Sequence, residues 1–196
     1  MSREGASPSA LLAGVAVLER AISYALGSIA LVTPPMLRRP TPCAHWDLWD
    51  LLEHLADSMD ALLEAAETGR VAIAPAPDAA AVVPLVRDRA VRLLGAWANA
   101  RADLAVRIDD TPVTAPVIAC AGAIEVTVHG WDIAQACGQP RPIPADLAGE
   151  LLDLTMLLVR PADRPGRFGR PVRLPGDAPP DARLLAFLGR TPDTCS

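Results

Sequence analysis

Long stretches in which apolar residues recur every three or four positions, separated by proline-bearing connectors, constrain the fold of this chain most strongly. This spacing places the apolar residues on one face of a helix, and proline ends or interrupts helices. Alanine and leucine, which favour helices, dominate the composition, whereas aromatic residues make up only 4% of the 196 residues. The sequence therefore predicts an all-α protein.

Two helices are predicted in the first third of the chain. The first covers about residues 8–33 and stops before the double proline at positions 34 and 35. Asp47, with Asp50 three residues further on, is typical of an N-terminal cap. The second helix is therefore expected to begin there and to end near Gly69.

Two more long helices and two short ones follow. An amphipathic pattern predicts a third helix from about residue 78 or 84 to about Ile108, where the sequence DDTPVT breaks it. A fourth is expected over about residues 116–137, with Gly138 as the left-handed residue beyond its end. Shorter helices are predicted at residues 145–159 and 181–189, on either side of a segment rich in proline, glycine and arginine.

This order of elements predicts a four-helix bundle with an additional short helix and a proline-rich tail. The length is that of one domain, so we interpret residues 1–196 as a single domain. The bundle is expected over about residues 8–160 and the tail over 161–196. The fifth helix and the tail are expected to pack outside the bundle or across one end.

The charge pattern argues against a polyanionic partner. The net charge is −5, and the 18 basic residues, all arginine, are scattered, so neither nucleic acid nor a membrane surface is expected to bind. No uninterrupted apolar run approaches the roughly 20 residues that span a bilayer. We expect a soluble, cytoplasmic protein that acts on a small molecule, and the sequence leaves a homodimer open.

The cysteines form no recognisable metal-binding or redox motif, because no two of them stand in a CxxC pair. They are Cys43, Cys120, Cys137 and Cys195. We interpret them as free thiols of a cytoplasmic protein. Cys43 differs in one respect, since it lies in TPCAHW, close to His45 and just before a helix start, where a thiol can become more acidic.

Two of the three histidines fall inside predicted helices in apolar surroundings, namely His54 and His129. Glu125 precedes His129 by four residues, which brings a carboxylate and an imidazole to within about 5–6 Å on one helix face. Spacing alone leaves two interpretations open. Glu125 could pair with His129 or with an arginine of another helix, or Glu125 and His129 could be two ligands of a divalent metal, with His54 as a third.

Two segments together resemble a known family. They are RPTPCAHWDLWDLLEHLADSMDAL and, about seventy residues later, GAIEVTVHGWDIAQACGQPRPIPADLAGELL. The sequence is similar to the actinobacterial maleylpyruvate isomerase-like branch of the DinB/YfiT metalloenzyme superfamily. The likeness covers nearly the whole chain, including FGRPVRLPGDAPPDARLLAFLGR near its end. It implies a four-helix bundle and a divalent metal, usually zinc, held by His54, Glu125 and His129.

The resemblance also implies a chemistry. Members of the superfamily include mycothiol-dependent isomerases and low-molecular-weight thiol S-transferases. The expected reaction uses the metal to lower the pKa of mycothiol, whose thiolate then adds to a small electrophile. Two alternatives remain: a metal-dependent isomerase, cyclase or hydrolase that uses no thiol, and a non-catalytic bundle that binds a small ligand.

Two departures from the family pattern bear on this expectation. The maleylpyruvate isomerases have a further C-terminal domain that helps to bind their dicarboxylate substrate, whereas a short proline-rich tail follows the bundle here, so their specific reaction is not carried over. This chain also has His45 where relatives have glycine before the tryptophan. A surface position is the first interpretation of His45, with a fourth ligand or an acid–base group as alternatives.

Other residues are candidates by position alone. Those three or four residues from a helical histidine could orient its ring; they are Asp132, Asp50, Asp57 and Ser58. Trp46 and Trp131 are expected mainly to pack, or else to wall a pocket. Four arginines of the tail could bind an acidic substrate, although solvation of the surface is favoured; they are Arg164, Arg167, Arg170 and Arg173.

Overall fold

The computed structural model describes residues 7–69, 82–100, 104–108, 111–164 and 168–191. Within these ranges the chain forms six α-helices and one two-stranded sheet. The elements are α1 (Pro8–Ile29), α2 (Leu48–Thr68), α3 (Val82–Ala98), β1 (Ala105–Ile108), β2 (Thr111–Thr114), α4 (Ala115–Ala136), α5 (Ala145–Leu158) and α6 (Pro180–Phe187). The predicted all-α fold is confirmed, and the hairpin is a small addition to it.

The first four helices close into a ring. α1 packs against α4, α4 against α2, α2 against α3, and α3 against α1. Each helix therefore has two neighbours, which is the arrangement of a four-helix bundle. Leucine, isoleucine and valine from all four helices fill the interior, as the apolar spacing predicts.

Helices α1 and α4 approach each other closely because glycine lies at their contact. A Cβ atom at Gly130 of α4 would lie 3.0 Å from the Cα of Ala25 in α1 and 3.2 Å from a ring carbon of Tyr24. Such distances are shorter than ordinary van der Waals contact. A glycine in α4 is therefore required for the present packing of α1 on α4.

Two of these helices also have the length and hydropathy of membrane-spanning segments, namely α1 and α4. The most apolar window of α4 is 78% buried inside the protein, and that of α1 is 50% buried. A helix surrounded by protein is apolar on most sides for the same physical reason as one surrounded by lipid. The expectation that no membrane is a partner stays a prediction.

The ends of α2 are those predicted from its capping residues. The Asp47 side chain accepts from the backbone N–H of Asp50, and the Asp50 side chain accepts from the N–H of Asp47, which is a complete capping box. Gly69 ends the helix at φ 70°, in the left-handed region that glycine adopts without strain. Local sequence is enough to set both boundaries.

Helix α1 is shorter than predicted. The prediction placed its end near Thr33, whereas the helix ends at Ile29 and a short 3₁₀ turn occupies Pro34–Met36. Proline disfavours the helical conformation in the residue before it, and Thr33 is extended at φ −120°, ψ 153°. The proline therefore accounts for the extended Thr33, while the helix itself already ends one turn earlier, at Ile29.

The prediction that the third helix continues to Ile108 is wrong. α3 ends at Ala98, and residues 105–108 pair antiparallel with residues 111–114, so that Val106 lies opposite Val113. The side-chain amide of Asn99 donates to the carbonyl of Gly95 at 2.7 Å, at the end of α3. Val106 is fully buried, whereas Arg107 and Ile108 are exposed. The proposed start of this helix at residue 78 lies outside the described residues.

The chain forms two compact units, residues 1–141 and 142–196. In the second unit α5 packs against α6. The guanidinium of Arg164 donates to the carbonyls of Gly169 and Phe187 at 3.0 Å and lies over the Phe187 ring. Arg164 therefore stabilises the tail itself. Arg170 and Arg173 are exposed, Arg167 lies outside the described residues, and the single-domain interpretation stays a prediction.

The contact between α1 and α4 generates a stability prediction. Gly130→Ala should lower the free energy of unfolding by about 1–3 kcal/mol, because the added methyl group overlaps the backbone of α1. Gly95→Ala is the matched control, since nothing lies within 4 Å of a Cβ there. It should raise stability by about 0.5–1 kcal/mol through helix propensity. Urea denaturation of both variants measures the difference, and equal effects would contradict the packing argument.

Candidate metal site

Helix α2 presents one side of the candidate site. His54 and Ser58 lie one turn apart on α2, and both contact Glu125 of α4. Leu51 and Leu55, at neighbouring positions of α2, are fully buried in the core. His54 is thereby held at the boundary between the core and the surface, with 37% of its side chain exposed.

Helix α4 presents the other side. Glu125, His129 and Asp132 stand at spacings of four and three, so they follow one face of the helix. His129 is 6% exposed and Asp132 is fully buried, whereas 33% of the Glu125 side chain is exposed. The polar groups of this otherwise apolar helix therefore run from the surface into the interior.

The three residues predicted as metal ligands lie together. Nε2 of His54 is 2.8 Å from Oε1 of Glu125, and Nε2 of His129 is 3.1 Å from the same oxygen. The two imidazole rings are 5.1 Å apart between centroids and nearly perpendicular. One ligand atom from each residue falls within 4.8 Å of the other two. Whether these residues bind a metal stays a prediction.

A second contact involves the other ring nitrogen of His129. Its Nδ1 is 3.0 Å from Oδ2 of Asp132. Ser58 contributes on the α2 side, with its hydroxyl 3.4 Å from Oε1 of Glu125. Two of the four predicted orienting residues thus contact the cluster. Asp50 instead belongs to the capping box of α2, and within the described part of the chain Asp57 contacts neither histidine.

A loop before α2, residues 39–47, which we call the site loop, lies against the cluster. The Trp46 ring lies 4.7 Å from the His54 ring and 6.3 Å from the His129 ring. Sγ of Cys43 lies 3.3 Å from Oδ2 of Asp132 and 3.9 Å from Nδ1 of His129. The sequence predicts that Cys43 lies near a helix start, but it does not predict a contact of Cys43 at the site. Its only sequence signal was that position in TPCAHW.

His45 occupies a left-handed backbone position in the site loop, at φ 71°. Glycine adopts this conformation without strain, and among other residues histidine is one of those found there most often. The left-handed position explains why the family pattern has glycine before the tryptophan. The side chain of His45 is exposed, as its first interpretation predicts.

The electrostatics of the cluster are those of a coupled acid and base. Burial alone would raise the pKa of Glu125, but the charge of His129 and hydrogen bonds from His129 and His54 hold it well below its ordinary value. Burial alone would lower the pKa of His129, but Glu125, with hydrogen bonds to Asp132 and Cys43, raises it well above its ordinary value. Without another cation, His129 and Glu125 therefore form an ion pair.

The donor set fits a divalent metal. Two imidazole nitrogens and one carboxylate oxygen match the ligands of catalytic zinc sites, which leave a further position open. His54 and Glu125 are each about one third exposed, so the cluster is open to solvent on one side. A carboxylate between two imidazoles also needs a cation, whether a proton or a metal.

The comparisons with known proteins assign the chain to a family. The family described as mycothiol maleylpyruvate isomerase N-terminal domain matches residues 18–134, which include His54, Glu125 and His129. The chain belongs to this family. Two uncharacterized proteins of Mycobacterium tuberculosis, from strains CDC 1551 and H37Rv, are each 31% identical over 171 residues, covering 83% of this chain and 90% of theirs.

Solved structures show the same fold in this family. The crystal structure of the mycothiol-dependent maleylpyruvate isomerase superimposes with a TM-score of 0.57 at 19% identity. A mutant of that enzyme gives 0.57 at 18% identity, and each comparison covers 72% of this chain and 67% of the other. At this identity the likeness concerns the fold.

The ion pair generates a prediction for metal-free protein. The folded-state pKa of Glu125 lies below its ordinary 4.5, so its contribution to stability is present above pH 4.5 and is lost as the pH falls through the lower value. The folded-state pKa of His129 lies above its ordinary 6.5, so its contribution is complete below pH 6.5 and is lost as the pH rises through the higher value. Wild type and Glu125→Gln should therefore differ most in unfolding free energy between pH 4.5 and 6.5.

Chemical denaturation across pH, with a chelator present, measures this difference. Glu53→Gln is the control, because Glu53 is a half-buried acid of α2 that contacts neither Glu125 nor His129 in the part of the chain that the structure describes. A difference between wild type and Glu125→Gln that does not change with pH would contradict the assigned ion pair.

Proposed function

We propose that this protein is a metal-dependent enzyme that activates a low-molecular-weight thiol, mycothiol, for transfer to a small electrophile or for isomerisation of one. His54, Glu125 and His129 would hold the divalent metal, with zinc favoured by the two imidazoles and one carboxylate. The proposal includes a small-molecule substrate and a cytoplasmic location, where free cysteines remain reduced.

The single observation that carries the proposal is the convergence of three ligand atoms from two helices. His54 and Glu125 are 71 positions apart in sequence, yet Nε2 and Oε1 lie 2.8 Å apart. Both side chains are partly exposed, so a substrate atom can approach from solvent. An ion pair that served stability alone would be better placed away from solvent, because exposed pairs contribute only about 0–1 kcal/mol to the free energy of unfolding.

The residues of this chain have separable roles in the proposed reaction. A bound divalent cation lowers the pKa of a coordinated thiol, so that the thiolate forms near neutral pH. Asp132 accepts a hydrogen bond from Nδ1 of His129, so that Nε2, once it loses its proton, would be the nitrogen that ligates the metal. Ser58 hydrogen-bonds Glu125, and the Trp46 ring covers both imidazoles and limits water on that side.

Mycothiol is the proposed cosubstrate because of the family to which the chain belongs. The match over residues 18–134 is to a family described by mycothiol and maleylpyruvate isomerase, and the solved enzyme of the same fold is mycothiol-dependent. The fold supports several chemistries. The electrophile is therefore left at the level of a small molecule with an activated carbon.

Metal binding is tested by elemental analysis of purified protein. Wild type should retain close to one equivalent of zinc, and His54→Ala and His129→Ala should each lose most of it, because two ligands seldom hold zinc against buffer. Asp57→Asn, a change on the same helix, should retain metal like wild type. If the zinc content is equally negligible in wild type and in both histidine variants, the proposed metal site is contradicted. A non-catalytic bundle is then the interpretation that remains.

Thiol dependence is tested by turnover. Purified zinc-loaded protein is assayed against a panel of small electrophiles with and without mycothiol, and His129→Ala serves as the inactive control. Turnover that requires mycothiol and is lost by at least about 100-fold in His129→Ala is expected, since a metal ligand is removed. Turnover of equal rate without thiol would instead assign a thiol-independent isomerase, cyclase or hydrolase.

A further inference from the structure

Oδ2 of Asp132 lies near two hydrogen-bond donors, one from α4 and one from the site loop. Nδ1 of His129 is 3.0 Å from this oxygen, and Sγ of Cys43 is 3.3 Å from it. Asp132 is fully buried, so its carboxylate cannot rely on water for donors. A thiol carries one hydrogen and donates weakly, and the 3.3 Å distance is within the range of an S–H···O bond.

The backbone of the site loop sets the position of Cys43. A tight turn joins Cys43 to Trp46, whose N–H donates to the Cys43 carbonyl at 3.1 Å. The Thr41 hydroxyl accepts from the N–H of Cys43 at 3.1 Å and lies 3.0 Å from the Trp46 carbonyl, to which it donates. The two ends of this turn thus place a thiol 3.9 Å from Nδ1 of His129 and an indole 6.3 Å from its ring.

Both helices that bear the candidate ligands anchor the loop. The N–H of Leu48, the first residue of α2, donates to the Arg39 carbonyl at 2.9 Å. The Arg39 guanidinium donates to the carbonyl of Cys137, just after α4, at 3.0 Å. Because of these contacts with α2 and α4, the loop holds the Cys43 thiol next to the Asp132 carboxylate.

We infer that Cys43 is a positioning residue of the candidate metal site. Its thiol donates to Asp132 and fixes that carboxylate, which in turn fixes the ring of His129 with Nε2 toward Glu125. Cys43 acts on the site through this contact with Asp132, although its Sγ also lies 3.9 Å from Nδ1 of His129, and it is not a metal ligand in this arrangement. This inference rests on the proposed metal-dependent function and adds a residue that the ligand set does not contain.

A direct ligand role for Cys43 is the competing arrangement. Ligand atoms of Cys43, His129 and Asp132 also lie within 4.8 Å of one another. The hydrogen-bond arrangement is favoured because it uses one proton on Nδ1 and one on Sγ, both directed to a single oxygen. It also leaves Nε2 of His129 facing Glu125 at 3.1 Å, beside His54.

The test is a double-mutant cycle on zinc affinity, measured by competition with a chelator. Asp132→Asn should weaken zinc binding about 10- to 100-fold, the usual effect of losing a partner of a ligand histidine. Cys43→Ala should weaken it about 3- to 10-fold, and Cys43→Ser, which keeps a donor, should stay within about 2-fold of wild type. Cys120→Ala, which removes a thiol of α4 at a position outside the candidate cluster, should bind like wild type.

The coupling energy between Cys43→Ala and Asp132→Asn distinguishes a positioning role of Cys43 from general destabilisation of the fold. If Cys43 acts through Asp132, Cys43→Ala has no further effect in the Asp132→Asn background. Additive effects, unchanged affinity in Cys43→Ala, or a loss in Cys43→Ser as large as in Cys43→Ala would overturn the inference. A thiolate-to-cobalt charge-transfer band in cobalt-substituted wild type would make Cys43 a ligand and would also overturn it.

A metal-free readout separates this inference from the proposed function. The ¹⁵N resonance of His129 Nδ1 in metal-free protein should move in Cys43→Ala and Asp132→Asn but not in Cys43→Ser or Cys120→Ala. If wild type binds no zinc while these shifts occur, the metal-dependent function fails and the contact of Cys43 with His129 through Asp132 stands. If zinc binds and the Nδ1 resonance is the same in Cys43→Ala as in wild type, the positioning role fails alone.

Discussion

Pairing of a partly buried carboxylate with a buried imidazole on one face of α4 is the constraint on which the rest of the site depends. Glu125 and His129 lie in a helix whose other residues, apart from Asp132 and Gln135, are small or apolar and mostly buried. A buried charge without a partner costs several kcal/mol, so groups around α4 must supply partners. His54 and Ser58 from α2 and Asp132 from α4 itself meet this requirement. The four-helix bundle is the scaffold that brings α2 against α4.

Close packing of α1 on α4 has a related role. Gly130 follows His129 directly, and its missing side chain lets the backbone of α1 approach α4 closely. The helix is thereby held between two neighbours, with its polar face toward α2 and its glycine toward α1. Positions of side chains within the site then follow from rigid helices, which hold a geometry more accurately than loops do.

The site loop is the part that sequence patterns described least well. Its residues have no helical period, and its contacts join positions far apart in the chain: Cys43 and Asp132 are 89 residues apart. The short proline-containing stretch predicted only a connector and a nearby helix cap. The cap was found as predicted, because Asp47 and Asp50 interact within one turn. The thiol, the indole and the left-handed His45 depend on a turn whose shape no spacing rule supplies.

Local spacing also explains where the prediction of secondary structure failed. Val106 and Ile108 continue a hydrophobic pattern that a helix or a strand can satisfy, and β-branched residues favour the strand once a partner is present. In the structure, residues 105–108 form a strand because they pair with residues 111–114. That pairing is a contact between two segments, so a pattern within one segment was insufficient to predict it.

The sequence by itself determined that the long helices exist, the caps of α2 at Asp47 and Gly69, and the one-turn spacing of Glu125 and His129, because each depends on residues within a few positions of one another. The sequence also predicted His54 as a candidate third ligand, because it is the other histidine inside a predicted helix. The family resemblance implied the same three ligands, His54, Glu125 and His129. Only the tertiary structure decided that Nε2 of His54 reaches Glu125 and that Cys43 reaches Asp132. These two contacts depend on how α2, α4 and the site loop pack together. That packing is determined by the whole core rather than by any one segment.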